Sequence, residues 1–406
     1  MAETQTNEDA TSLHSAPEAA WHRELIDALC AFERESGSSG ERAAAGWLTE
    51  RLAEHGVSAT IDEEPLHNTY WWPLGLTAGA GVRAGMLALR GRRLTAMALG
   101  AGAFAAAVDD LPPRSRRFRG LLPKRQATNV VATLGPEDAE RTVVVVAHHD
   151  AAHSGLVFSP FIPNKLNEIN PKFFEVNNTS PPLMWPVVGA PLVPALGALF
   201  GSRALVKAGM GLSAAVVAAL ADIGLRDVVP GANDNGTGVV TLIALAKALA
   251  EAPTDSVRVM LVSTSEEGLC EGMSAFAARH FPELPPERTF VLSIDTVGSP
   301  HLLFLRGEGM LGMNEYPAEA LALCDGVAEE LGIYLMPDLR LRNATDGVIA
   351  LDAGYQCAAM CSVTDLKQPS NYHWPTDTPE NVNYDTLADA CRLVEAIVRR
   401  LDDRWL

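Results

Sequence analysis

Two hydrophobic periods alternate along this chain. "EAAWHRELIDALCAFE", opening after Pro17, carries apolar positions at helical spacing, and proline suits a first helical turn. A Ser/Gly loop then leads into "ERAAAGWLTERLAEHG", a second helical pattern stopped by Gly56. "VSATIDEE" and "ATNVVATLG" (127–135) read as strands, and "RTVVVVAHHD" is a continuous β-branched run of the kind found in fully buried strands. Beyond Gly231 the pattern alternates. The helix "GVVTLIALAKALAEA" precedes the strand "SVRVMLVSTSEE", and the helix "GMSAFAARHF" precedes the strand "RTFVLSIDTVG". An amphipathic segment (315–332), a late strand "GYQCAAMCSV" and a closing helix from Asn383 complete the series. This order predicts an α/β fold: a mostly parallel central sheet covered by helices on both faces.

Two stretches break the alternation. Residues 67–124 and 156–227 are rich in Ala, Gly, Leu and Val, and each predicts a pair of apolar helices. A membrane span needs about 20 predominantly apolar residues. The apolar cores at 94–108 and 208–221 fall short of that, and the run around 182–201 is broken by Pro182, Pro186, Pro191 and Pro194. The inserts are therefore expected to form a packed lid, a homo-oligomer contact or a membrane-surface contact rather than ordinary spans. Residues 1–16 read as a disordered tail and 17–406 as one domain, interrupted by these inserts.

Composition narrows the picture. Of 406 residues 48% are hydrophobic and 20% charged, which describes a globular chain with a large core. A net charge of −18 argues against nucleic acid as a partner. The first 21 residues lack a basic segment followed by an apolar one, so no signal peptide is expected, and a cytoplasmic, membrane-associated or free protein is. Six scattered cysteines without a C-x-x-C pair read as reduced thiols.

The chemistry gathers where apolar strands end. His148, His149 and Asp150 close "VVVVAHHD"; Asp234 precedes a helix in "PGANDNGTG"; Glu266 and Glu267 close "VMLVSTSEEG"; Asp295 closes "FVLSIDTVG"; and His373 lies in the Pro-bounded "SNYHWPTDTPEN". Any one of these fits a helix cap or a solvated turn. Together they place acids and histidines at the carboxyl ends of parallel strands, where an open α/β sheet forms its crevice. Crowded carboxylates there would protonate unless cations held them, and imidazole with carboxylate oxygen suits zinc. Side chains alternate along a strand, so His148 and Asp150 share a face, letting the carboxylate take the second imidazole N–H while His149 points away. His153 reads as a loop residue. Glu266 and Glu267 need not compete: one can ligate while the other faces the activated water.

"AHHD", "GANDNGTG", "SEEGLCEG", "SIDTVG" and "YHWPTDT" follow the order and spacing of the dizinc aminopeptidase family. That family includes bacterial leucyl aminopeptidases, glutamate carboxypeptidase II and glutaminyl cyclases. The chain resembles it over about 20–66, 127–155 and 228–406. The resemblance implies two Zn²⁺ per chain, other divalent transition metals being alternatives. One would be held by His148, Asp234 and Asp295, the other by Asp234, Glu267 and His373. It implies Glu266 as general base, Asp150 orienting His148, and Tyr372 stabilising an oxyanion. Asp377 is expected either to support the His373 loop or to be a plain turn residue. The implied activity is hydrolysis of an N-terminal peptide bond or a small amide. A non-peptide amidohydrolase, a cyclase-like transferase on one zinc and a non-catalytic binding protein are the alternatives. The inserts depart from the family: 84 residues separate Asp150 from Asp234. Only 78 separate Asp295 from His373, too few for the dimerisation domain of the related carboxypeptidase-type families.

Overall fold

The structure, a computed structural model, describes residues 16–406. The tail expected over 1–16 lies outside the described residues except for Ala16, which opens the first helix.

Helices α1 (Ala16–Cys30) and α2 (Ser39–Glu54) lead into β1 (Ala59–Leu66). The Ser38 hydroxyl caps α2 by accepting from the Glu41 N–H. α3 (Trp71–Leu89) and α4 (Arg93–Asp110) precede β2 (Arg125–Leu134) and β3 (Arg141–His148). Five helices follow: α5 (Phe161–Ile169), α6 (Lys172–Val176), α7 (Met184–Gly189), α8 (Leu192–Leu199) and α9 (Arg203–Gly224). Alternation then resumes through α10 (Thr237–Glu251), β4 (Val257–Thr264), α11 (Glu271–His280) and β5 (Thr289–Asp295). β6 (His301–Phe304) adds to the main sheet. β7 (Gly307–Glu308), β8 (Asn314–Glu315) and β9 (Arg340–Leu341) form a small second one, with α12 (Ala318–Leu331) between β8 and β9. α13 (Gly347–Asp352), β10 (Gln356–Val363) and α14 (Tyr384–Asp403) complete the chain.

The main sheet has the order β1-β2-β4-β3-β5-β10-β6. Its four central strands are parallel, and antiparallel pairings add β2 and β1 at one edge and β6 at the other. The β-branched runs lie in the centre. Val143, Val144, Val145 and Val146 of β3 are fully buried, as strands covered on both faces require. Apolar α10 packs against β3 and between α1, α2 and α14, which explains why its pattern is hydrophobic nearly all round. All six cysteines are unpaired, and five of them are buried.

Register fixes where the inserts emerge. Leu66 pairs with Arg125, and β2 runs antiparallel to β4 with Val130 opposite Ser263. The first insert therefore leaves the sheet at the carboxyl end of the parallel strands. The second insert follows the carboxyl end of β3, so both rise from the same edge as the candidate chemistry. They join into one bundle of four arms, α3, α4, α9 and the broken pair α7–α8: α3 packs on α4, α8 and α9, α8 packs on α4 and α9, and α7 packs on α3, α4 and α9. The apolar segments at 94–108 and 208–221 are the middles of longer helices. Helix continues through the polar ends, and by length and composition α9 is enough to cross a membrane.

Small residues set the spacing within this bundle. A methyl group added at Gly81 would lie 2.5 Å from Ser213 Oγ and 2.7 Å from Pro191 Cα, and one at Gly209 would lie 2.5 Å from the Pro194 ring. The helices are thus in backbone contact. Gly209→Ala is expected to destabilise the bundle by about 1–3 kcal/mol, because α8 and α9 must separate. Gly211→Ala, whose methyl would meet nothing within 4 Å, is expected to be neutral or to stabilise by up to about 1 kcal/mol. Chemical denaturation of the two variants would check this; equal effects would contradict backbone contact at Gly209.

Candidate metal centre

Five chain segments deliver the candidate residues to the carboxyl edge of the sheet. His148 ends β3 and sits opposite Thr264 at the end of β4, while Asp295 ends β5 opposite Cys361 of β10. Glu266 and Glu267 follow β4 directly. Asp234 lies in the turn before α10, and His373 in the loop after β10, with a φ of 49°.

Asp150 organises the strand ends. One of its carboxylate oxygens accepts the Glu266 N–H at 2.9 Å and the other accepts the Glu267 N–H at 3.0 Å. The first oxygen also lies 3.3 Å from His148 Nδ1. A single buried carboxylate therefore fixes the imidazole and the backbone of the double-glutamate turn at once. His149 turns to the other side, where its Nδ1 meets Ser263 Oγ at 3.0 Å and its Nε2 lies 3.6 Å from Glu41. His153 donates its Nδ1–H to the Arg226 carbonyl and packs on Trp71.

Asp234 stands between two imidazoles. Its Oδ1 is 3.3 Å from His148 Nε2, and its Oδ2 is 3.2 Å from His373 Nε2. His373 Nε2 is also 3.5 Å from Glu267 Oε1, and His148 Nε2 is 4.0 Å from Glu266 Oε2. Two triads result, each with ligand atoms within 4.8 Å of one another: His148, Asp234 and Asp295, and Asp234, Glu267 and His373. Asp234 Oδ2 and Glu267 Oε1 are buried without a hydrogen-bond donor. Oxygen atoms aimed inward without donors, next to imidazole nitrogens, fit divalent cations.

The electrostatics point the same way. Burial pushes the Glu267 carboxyl well above the usual carboxylate range, and the neighbouring Asp234 and Glu266 add to it. Burial likewise raises Glu266, with Asp346 and Asp295 contributing. Burial next to Asp234 pushes Asp295 up to about 7. Burial opposes charge on His148, yet its contacts with Asp150 and Asp234 outweigh that and hold the imidazolium well above its usual range. Burial opposes ionisation of Asp234 too, and the two histidines outweigh it and lower its pKa. Cations bound among these carboxylates would offset the burial and mutual repulsion that raise Glu266, Glu267 and Asp295.

Tyr372 stacks on the His373 ring at 3.9 Å, and Phe158 from the second insert meets the same imidazole edge-on at 4.5 Å. The Tyr372 oxygen accepts from Asn343 Nδ2 at 3.1 Å, which leaves its own O–H free to donate.

Several supporting residues, or the partners they hold, escaped sequence reasoning. Asp377 sits in the turn after His373, but its carboxylate accepts the Asn233 and Asp234 N–H groups at 2.8 and 3.1 Å, so it holds the Asp234 turn. Asn235 ties that turn to the end of β5 by donating to the Ile294 carbonyl and accepting from Thr296 N. Arg34, fully buried, donates to the carbonyls of Leu29, His149, Pro230 and Gly231, clamping the end of β3 to the approach to Asp234. His148, Glu266 and Glu267 make a third such group across the two triads, and Asp346 and Cys270 make a fourth with Glu266; the Cys270 thiol donates to Glu266 Oε1 at 3.3 Å, and Asp346 accepts from the Thr264 hydroxyl. Asp346 in "ATDGVIA" gave one signal, an acid just ahead of a buried apolar helix.

Residues 215–398 match the sequence profile of peptidase family M28. No curated protein matches the chain by sequence. Among solved structures the chain is similar to a glutaminyl cyclase from Tannerella forsythia, with 16% identity, a TM-score of 0.56 and coverage of 94% of this chain and 98% of that one. It is also similar to a leucine aminopeptidase precursor from Bacteroides thetaiotaomicron (13%, 0.54, 94% and 96%) and a zinc aminopeptidase from Bacillus subtilis (14%, 0.52, 94% and 94%). These neighbours establish the fold. The profile match covers the stretch that carries Asp234, Glu266, Glu267, Asp295 and His373, and over that stretch the chain is similar to the hydrolases of peptidase family M28.

Proposed function

We propose that this chain is an aminopeptidase-type metallopeptidase that hydrolyses an N-terminal peptide bond or a related amide, with two zinc ions per chain. The observation that carries the proposal is the pair of triads sharing Asp234, with Glu266 beside them and held by Asp150. In this reading His148, Asp234 and Asp295 hold one ion, and Asp234, Glu267 and His373 hold the other. When bound, zinc supplies Lewis acidity, lowering the pKa of a water from about 15.7 toward 7 and polarising a carbonyl.

The chain's own residues do the rest. Glu266 takes the proton of the water that attacks the scissile carbonyl and returns it to the leaving amine. Its raised pKa suits a group that must hold that proton between the two steps. Asp150 keeps the His148 ring and the Glu266 backbone in register. The Tyr372 hydroxyl, oriented by Asn343, donates to the developing oxyanion. The glutaminyl cyclase among the fold's neighbours keeps a second reading in play, a transferase on one zinc. The complete second triad supports hydrolysis instead, and elemental analysis separates the two: two zinc per chain for the first, one for the second.

Three outcomes are expected. Glu266→Ala should reduce hydrolysis of aminoacyl amides and dipeptides by at least about 10²–10⁴-fold while zinc content stays near wild type; loss of zinc in this variant would contradict the base assignment. Glu267→Ala and His373→Ala should each lower the zinc content after dialysis, and full retention in both would rule out the second triad.

The third concerns pH. Carboxylate ligands bind metal only when ionised. Asp295, pushed up to about 7 in the metal-free site, is protonated below that value, so apparent zinc affinity should fall as pH drops through 7, by about tenfold per pH unit for each proton displaced. Calorimetric titration of metal-free protein in buffers of different ionisation enthalpy should register net proton release. An affinity constant between pH 6 and 8 would be incompatible with it.

A further inference from the structure

The bundle has an unusual charge distribution for part of so acidic a chain. Residues 71–108 and 184–221 contain no Asp or Glu, and their only charged residues are Arg83, Arg90, Arg92, Arg93, Arg203 and Lys207. All six are exposed. Five of them gather at one end. Arg90, Arg92 and Arg93 lie in or beside the α3–α4 turn, and Arg203 and Lys207 occupy the first turns of α9. A methyl group at Gly201, between α8 and α9, would lie 3.4 Å from the Arg93 guanidinium, so the two turns adjoin. The opposite end rests on the domain that carries the candidate site: Trp71 packs on His153, and Trp185 Nε1 donates to the Met310 carbonyl.

Between these ends the outward faces carry almost no charge. On α4 the exposed positions Leu94, Ala98, Ala101 and Ala105 continue up to Asp109 without a charged residue. On α9 Ala208, Leu212, Ala215 and Ala218 do the same from Lys207 to Asp222. Only 28% of the most apolar window of α9 is buried. On α3 Trp72, Leu76 and Met86 are exposed, with Arg83 the one cation among them. A helix facing water carries polar residues on its outer face. These helices are apolar inside and outside, and they close through glycines set against Pro191, Pro194, Ala195, Val206 and Met210, with a hydrogen bond from Ser213 Oγ to the Ala190 carbonyl. Close packing through small residues is how helices associate when the surrounding solvent is also apolar.

Length agrees. At 1.5 Å per residue the 19 residues of α3 and the 22 of α9 extend about 28 and 33 Å. A bilayer's hydrocarbon layer is about 30 Å thick. Exposed Trp72 and Trp185 mark the near end, as aromatic residues do at a membrane–water interface, and the basic cluster marks the far end. A second copy of the chain is a poorer occupant, since side-by-side pairing in the same orientation would bring two basic ends together.

We propose that the bundle of α3, α4, α7, α8 and α9 is embedded in a lipid bilayer. Its arginine-rich turns lie among anionic headgroups of the far leaflet, and the catalytic crevice stands at the near surface. Basic side chains at a leaflet surface are attracted to anionic lipid, which matches a basic tip on a chain that is acidic elsewhere.

The test uses the full chain, purified in detergent and reconstituted by detergent removal into vesicles of phosphatidylcholine with or without phosphatidylglycerol. The wild type should float with both, and better with phosphatidylglycerol. The variant Arg90→Glu/Arg92→Glu/Arg93→Glu, altered only at exposed positions outside the catalytic domain, should lose at least about tenfold of that anionic-lipid preference. An environment-sensitive fluorophore on Ala101→Cys should be quenched by lipids brominated near the bilayer centre. Circular dichroism checks that each variant is folded. A wild type that stays monodisperse in water and fails to float overturns the proposal. So does an Ala101 label that brominated lipid leaves unquenched, or one shielded only by formation of a water-soluble dimer.

Discussion

Negative charge confined at the carboxyl edge of the sheet is the constraint on which the rest of the structure depends. Asp150, Asp234, Glu267 and the largely buried Glu266 and Asp295 lie within a few side-chain lengths of two histidines. Isolated, such a group of carboxylates would be expelled from a core or neutralised by protons. The fold instead holds each one from behind. Asp150 is gripped by two backbone N–H groups, the Asp234 turn by Asp377, and the carbonyls around that turn by Arg34. This support makes the acids converge, and it is why so many polar side chains are buried beside an otherwise aliphatic sheet.

The parts of this arrangement that were legible in the sequence are those with a local signature. Val143–Val146 could only be a strand buried on both faces, and the acids ending β3, β4 and β5 marked one edge once those strands were taken as parallel. Strand alternation separated His149 from His148, and the two histidines do face different partners. The supporting residues had no such signature. Arg34 is one arginine in a polar loop until the fold brings the carbonyl of His149, 115 positions away, to its guanidinium. Asp377 reads from sequence as either a support for the His373 loop or a plain turn residue, because its actual partners, the Asn233 and Asp234 N–H groups, are invisible in any sequence pattern. The antiparallel edges escaped for a similar reason: strand direction depends on where the connections run.

The inserts illustrate a different limit. Counting only strongly apolar residues shortened α4 and α9, because helix continues through Arg93, Asp109, Asp110, Arg203 and Lys207 at their ends. Proline breaks were visible at 182–194, but their effect was not. They divide one arm of the bundle into α7 and α8, and Pro191 and Pro194 supply the surface on which Gly81, Gly100 and Gly209 close. Glycine here is a packing residue whose meaning lies in its partner helix.

The order of the elements along the chain also sets an order of assembly. The bundle's first hairpin ends at Asp110, and its partner begins 74 residues later, at Met184, with β2 and β3 in between. During synthesis the glycine-notched face of α3 must therefore wait, unpartnered, while two strands of another layer are made. Its docking with α9 ends at Gly224, ten residues before Asp234. Asp234 can consequently emerge next to a bundle that is already closed, whereas His373 arrives only after β10. The two triads differ in age as well as in composition: His148, Asp234 and Asp295 are together once β5 exists, and the other set is completed near the end of translation.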